Sequence, residues 1–160
     1  VAGPPADGET FEAGDYDVVG FVSPSGRIVC SMNSDGVDCQ PPIELMPAGS
    51  VPSEEEACPE SVGINEVNTL HVGGGKAAWA CFGGLAAYPI VDGYTTAWNS
   101  SGFGEVVRPE GWDRDLVSLP YGKNLAHDGY LCRSREDGVT CTDSNGVGFK
   151  ASRSGVTFYP

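Results

Sequence analysis

Six cysteines, Cys30, Cys39, Cys58, Cys81, Cys132 and Cys141, are the residues of this 160-residue chain whose type and spacing bear most directly on chemistry. Thiols offer metal ligation or oxidation to disulfides. A structural zinc site wants pairs of closely spaced cysteine or histidine ligands, and no C-x-x-C stands anywhere in the chain. Disulfides are the better reading, and one repeated spacing selects among the many connectivities that six cysteines allow. Eight residues separate Cys30 from Cys39, and eight separate Cys132 from Cys141, around matching interiors Ser34-Asp35-Gly36-Val37 and Glu136-Asp137-Gly138-Val139. A four-residue hairpin loop built on a type I turn takes glycine at its left-handed last position. This predicts loops over 33–36 and 135–138, pairs Met32 with Val37 and Ser134 with Val139, and sets each cysteine opposite its partner, close to disulfide range. Cys58 then pairs with Cys81 by elimination. On the chain-entropy model the two short bridges contribute about 2.5–3 kcal/mol each and the longer one roughly 3.5 kcal/mol. Such a set requires an oxidising compartment: secreted, periplasmic or cell-surface.

Other chemistry is sparse. H-E-x-x-H, G-x-S-x-G, Walker A and G-x-G-x-x-G signatures are absent, and no cofactor motif is read. Of the two histidines, His71 lies in an alternating, strand-like stretch and reads as structural, whereas His127 precedes Asp128-Gly129 and reads as a surface turn residue. Carboxylates are too abundant for a catalytic pair to be informative. Asp143-Ser144-Asn145-Gly146 and Asp113-Arg114-Asp115 supply oxygen ligands, but neither continues into a full calcium loop, so turn chemistry is preferred. Asn99-Ser100-Ser101 is a formal glycosylation acceptor, meaningful only in a eukaryotic secretory host.

The elements that would position these residues read as strands. Ile28, Cys30, Met32, Val37 and Cys39 share one face of the first hairpin, with Arg27, Ser31 and Asp38 on the other. This period-two pattern belongs to a half-buried antiparallel sheet. Tyr130, Cys132, Val139 and Cys141 repeat it, Phe149 to Phe158 turn back through Arg153-Ser154-Gly155, and Thr69–Val72 and Ala77–Phe82 flank three glycines. Helix is predicted only for Ser53 to Cys58, with Ser53 as N-cap, and for Asp113 to Leu119. The matched cysteine spacing, with Ser23-Pro24-Ser25-Gly26 echoed by Leu119-Pro120-Tyr121-Gly122, points to two similar halves. Between them the stretch from about 83 to 118 is irregular, glycine-rich and aromatic. Its aromatics either cover an end of the sheet or line a contact surface, for which Tyr94, Trp98, Phe103 and Trp112 are the candidates.

Charge is lopsided. The chain holds 22 acidic and 9 basic residues, a net −13, and residues 1–60 carry twelve carboxylates against one base, Arg27. Phosphate backbones and anionic membrane surfaces are therefore poor partners. No apolar run is long enough to span a bilayer. Residues 1–16 read as a flexible Pro/Gly tether, of the kind that follows a cleaved signal or a lipid-anchored cysteine upstream of residue 1.

Phe21-Val22-Ser23-Pro24-Ser25-Gly26-Arg27-Ile28-Val29-Cys30 resembles the F-x-S-P-S-G-N-I-x-C opening of a family of uncharacterised actinobacterial exported proteins and lipoproteins. Leu119 to Gly122, Cys132-Arg133-Ser134, Gly138 to Cys141 and Gly146 to Arg153 are similar to that family's closing block. The resemblance implies a mycobacterial or corynebacterial type of envelope location and no activity. Arg27 stands where the family has Asn, and Gly83 to Arg114 is longer than the family's middle.

Together these readings predict a single all-β domain over 17–160, a disulfide-clamped antiparallel sandwich or small barrel with little helix. The function they lead to is a non-catalytic interaction module of the cell envelope, with a protein or wall component as partner. A small hydrolase acting on wall material and a secreted protease inhibitor are the alternatives.

Overall fold

The structure, a computed structural model, describes residues 8–47, 49–59, 66–82 and 89–159. Thirteen strands occur among them: β1 (Glu9–Glu12), β2 (Val19–Val22), β3 (Val29–Asn33), β4 (Gly36–Gln40), β5 (Glu66–Gly73), β6 (Lys76–Phe82), β7 (Glu105–Val107), β8 (Leu116–Ser118), β9 (Lys123–His127), β10 (Tyr130–Arg135), β11 (Gly138–Thr142), β12 (Gly148–Ser152) and β13 (Gly155–Tyr159). They form two sheets, ordered β1-β9-β10-β11-β12-β13 and β6-β5-β4-β3-β2-β8-β7. Both contribute to one core, with Phe21, Met32 and Leu70 from one sheet meeting Leu125, Phe149 and Val139 from the other. The fold is an all-β sandwich.

Each sheet contains a five-strand antiparallel meander, β2 to β6 in one and β9 to β13 in the other. Register makes the two equivalent. Phe21 faces Cys30, Cys30 faces Cys39 and Cys39 faces Leu70 in the first; Leu125 faces Cys132, Cys132 faces Cys141 and Cys141 faces Phe149 in the second. Each meander is preceded in the chain by a short strand that joins the other sheet. β1 pairs in parallel with β9, and β8 in parallel with β2. The two halves thus exchange their leading strands, which explains two parallel pairings where the hydrophobic pattern predicts an antiparallel fold throughout.

All six cysteines pair as the spacing predicts: Cys30–Cys39, Cys58–Cys81 and Cys132–Cys141. The two hairpin bridges lie back to back in the core, Cys39 Sγ 3.8 Å from Cys141 Sγ. Their loops are shorter than predicted. Asn33 pairs with Gly36 and Arg135 with Gly138, leaving two-residue turns. Gly36 (φ 139°) and Gly138 (φ 143°) begin the return strands instead of ending left-handed loops. A Cβ at Gly36 would fall 2.0 Å from the Val72 carbonyl oxygen, and one at Gly138 2.3 Å from that of Ala151, the equivalent atom of the next strand in each half.

Three other expectations change. Glu9–Glu12 is a strand and Ala13 is fully buried, because the Thr10 and Phe11 backbone completes the edge beside β9; of the tether expected over 1–16, residues 9–13 belong instead to the sheet and core, and residues 1–7 lie outside the described residues. The helix expected over Asp113 to Leu119 is instead β8, all three residues buried between β2 and β7. In the irregular stretch expected over 83–118, residues 83–88 lie outside the described residues; the rest holds a 3-10 helix (Tyr94–Ser101), β7 and β8. The one α-helix among the described residues, α1 (Glu54–Ala57), forms where Ser53 predicts it, with Ser53 Oγ accepting the Glu56 N–H and Glu56 Oε1 accepting the Ser53 N–H. No described helix is long and apolar enough to cross a membrane.

Candidate functional site

The four aromatics proposed as a contact surface are not brought together. Trp98 is fully buried, its Nε1–H donating to the Gly20 carbonyl at 2.8 Å. Gly20 permits this approach, since a Cβ there would meet the Thr95 side chain at 3.0 Å. Phe11 bridges Trp98 and Phe103, with ring centroids 6.0 and 5.4 Å away, and Lys123 Nζ sits 4.6 Å above the Phe103 ring. Trp98 and Phe103 thus cover one end of the core. Trp112 packs with Ile90 and Val107 against Val22, Val29 and Leu116, in a separate cluster on the outer face of the seven-stranded sheet. Tyr94 alone projects, at 74% exposure. A large, buried indole in a glycine-rich stretch cannot be told from an exposed one by pattern, because its burial depends on how the stretch folds over β2.

The histidines divide differently from expectation. Asp128 (φ 47°) and Gly129 (φ 88°) make a two-residue turn, so His127 is the last residue of β9 and shares the core-facing side with Leu125. It is 2% exposed, correcting the surface assignment, and its ring Nε2 hydrogen-bonds the Tyr16 carbonyl. His71 lies on the outer face of β5, its Nδ1 2.7 Å from Asp38 Oδ1 on β4. The Asp38 hydrogen bond raises the imidazole above its ordinary pKa, opposed by partial burial. Ser31 faces Asp38 on the next strand, so the order across the sheet is serine, aspartate, histidine. A nucleophile needs the imidazole between hydroxyl and carboxylate, and this row puts the carboxylate in the middle. Asp143 Oδ1 accepts the Asn145 and Val147 N–H groups, which is turn chemistry. Asn99 Oδ1 accepts the Gly104 N–H at 2.6 Å and ties the end of the 3-10 helix to β7.

A site not predicted from the sequence lies where the turns of the two halves meet. A cleft of about 360 Å³ is walled by the β2–β3 connection (Ser23, Ser25, Arg27), the β10–β11 turn (Arg135, Glu136, Asp137) and the β12–β13 turn (Ser152, Arg153, Ser154), with Tyr121 at its edge. Three of the chain's nine basic residues line it. Two walls share one construction. Ser23 Oγ and Ser25 Oγ are 3.1 Å apart, as Ser152 Oγ and Ser154 Oγ are at 2.9 Å, and Ser25 Oγ accepts the Arg27 N–H as Ser152 Oγ accepts that of Ser154. These bonds brace each turn internally, with Arg27 following the first and Arg153 inside the second. Arg135 is fixed through Asn124 Oδ1 and the Ser134 carbonyl. Lys150 Nζ holds Asp137 at 2.6 Å and lowers its carboxyl pKa by that hydrogen bond. The signal was available: Ser23-Pro24-Ser25-Gly26 and Ser152-Arg153-Ser154-Gly155 are both Ser-x-Ser-Gly, each with an arginine in or next to it.

Comparison with protein-family models, with curated proteins and with solved structures finds no match to this chain.

Proposed function

We propose that the chain is a non-catalytic binding module of a bacterial cell envelope, whose partner is an envelope protein or wall component. The observation that carries this reading is the cleft: a turn-walled recess lined by arginines and hydroxyls on a framework cross-linked by three disulfides. Disulfides of this kind persist in oxidising compartments outside the cytoplasm, and the resemblance of Phe21 to Cys30 and of the closing block to exported actinobacterial proteins supports an envelope location, with a lipid anchor upstream as one form of it. Against a hydrolase, neither His71 nor His127 hydrogen-bonds a serine hydroxyl among the described residues. Against a protease inhibitor, the 99–112 stretch folds onto the sheet as β7, paired with β8. The test is affinity capture from an envelope extract on the immobilised, oxidised protein. Specific retention of one protein or wall fragment is expected. No specific retention, or turnover of wall material by the pure protein, would overturn the reading.

A further inference from the structure

We propose that the cleft between the two Ser-x-Ser-Gly turns binds the anionic group of a monosaccharide-sized ligand, a sugar phosphate or a sugar acid, with Arg27 and Arg153 as its charge contacts. This rests on the binding-module reading and names the chemistry of its site.

The first sixty residues hold a single base, Arg27, and the fold brings it to the same recess as Arg135 and Arg153. Neither Arg27 nor Arg153 has a carboxylate within ion-pairing distance among the described residues. Arg114 and Arg133 also lack a carboxylate partner among the described residues, so what distinguishes Arg27 and Arg153 is that the fold gathers them, with Arg135, around one recess. Of the two acids in the lining, Asp137 is already taken by Lys150, which leaves Glu136 against the guanidinium groups. Guanidinium is the cation best suited to forked recognition of carboxylate or phosphate oxygens.

Shape and remaining chemistry define the rest of the ligand. Small-ligand clefts span roughly 300–1,000 Å³, and about 360 Å³ lies at the low end, room for one sugar-sized group. Serine hydroxyls on both walls offer hydrogen bonds to ring hydroxyls. Tyr121, 45% exposed at the edge, offers an apolar ring face with a polar tip. The net negative charge repels anions at long range, yet that repulsion is screened beyond about 8 Å at physiological ionic strength, so recognition is a short-range property of the cleft.

The test is titration of the oxidised, ¹⁵N-labelled protein with glucose 6-phosphate, with glucuronate and with glucose. Saturable shifts of the Gly26, Arg27, Ser154 and Gly155 amides are expected with at least one anionic probe and none with glucose. A response to phosphate alone assigns a sugar phosphate, and a response to glucuronate alone assigns a sugar acid. The double variant Arg27→Ala/Arg153→Ala, altering two exposed side chains, should keep its spectral dispersion and lose at least about tenfold in affinity, 1.4 kcal/mol by the standard conversion. No shift with either anion, equal shifts with glucose, or undiminished affinity in the double variant would each overturn the proposal. Envelope capture undiminished in the double variant would overturn the cleft assignment and leave the binding-module reading standing; no capture by the parent protein would remove that reading itself.

Discussion

The meander β2 to β6 and the meander β9 to β13 share register, a clamping disulfide and a borrowed parallel strand, but differ at the turns that face the cleft. Arg135 stands at the register position of Asn33, and Arg153 at that of Gly74. The third arginine, Arg27, belongs to a connection of six residues between β2 and β3, where the second half has only Asp128-Gly129. Every arginine of the cleft therefore occupies a position that the equivalent turn of the other half leaves uncharged or lacks. The outer faces differ as well. His71 and Asp38 pair across β5 and β4, whereas Lys150 and Thr140 occupy the equivalent register, and Lys150 turns to Asp137. The repeated part of the molecule is thus its frame, and the unrepeated part is where binding chemistry is placed.

Perturbations at paired positions test that division. Trp98→Ala removes the largest fully buried side chain, which lies outside both meanders and is packed and hydrogen-bonded over β2; a loss of about 3–5 kcal/mol is expected from urea midpoints. Replacing Cys30 and Cys39 by alanine should cost about 2.5–3 kcal/mol, and replacing Cys132 and Cys141 the same, since the loops are of equal length. A difference between the two double variants larger than about 1 kcal/mol would break the equivalence of the halves. Gly36→Ala and Gly138→Ala each force a Cβ onto a neighbouring carbonyl, and each should cost about 1–3 kcal/mol.

The smallest effects are pH-dependent and run in opposite directions in the two halves. His71 has a raised pKa in the folded state, so its contribution is complete below about pH 6.5 and fades as pH rises through the folded value. Asp38→Asn should therefore destabilise the protein near pH 5 by less than about 1 kcal/mol, the pair being partly exposed, with the difference from the parent vanishing at alkaline pH. Asp137 has a lowered pKa. Its contribution is present above the ordinary carboxylate range and is lost as pH falls through the folded value, so Lys150→Ala should lose its small effect in acid. A larger Asp38→Asn effect at pH 8 than at pH 5 would contradict the first assignment.

The frame was legible because its signals are local. Cysteines eight residues apart around Asp-Gly-Val fix a cross-strand pair, and alternation fixes which side is buried, so register and pairing follow even though the turns prove two residues shorter. The exchange of leading strands was not legible, because Glu9–Glu12 and Leu116–Ser118 are too short and too mixed to announce a strand, and their partners are distant in sequence. The same holds for Trp98, whose burial is decided by the fold of the stretch around it, and for His127, which a single residue of strand extension moves from turn to core. The cleft arises only when turns 23–28, 135–138 and 152–154 converge, and its Ser-x-Ser-Gly signature is too short to stand out before that convergence is seen.

The central claim is that each half is closed by its own bridge, within a frame that sets the cleft turns. Its nearest competitor is pairing across the core, since Cys39 and Cys141 are 3.8 Å apart. Peptide mapping of the thiol-blocked, unreduced protein separates the two directly. Linked peptides containing Cys30 with Cys39, Cys58 with Cys81, and Cys132 with Cys141 are expected, with no free thiol; a peptide linking Cys39 to Cys141, or Cys30 to Cys132, would contradict the pairing.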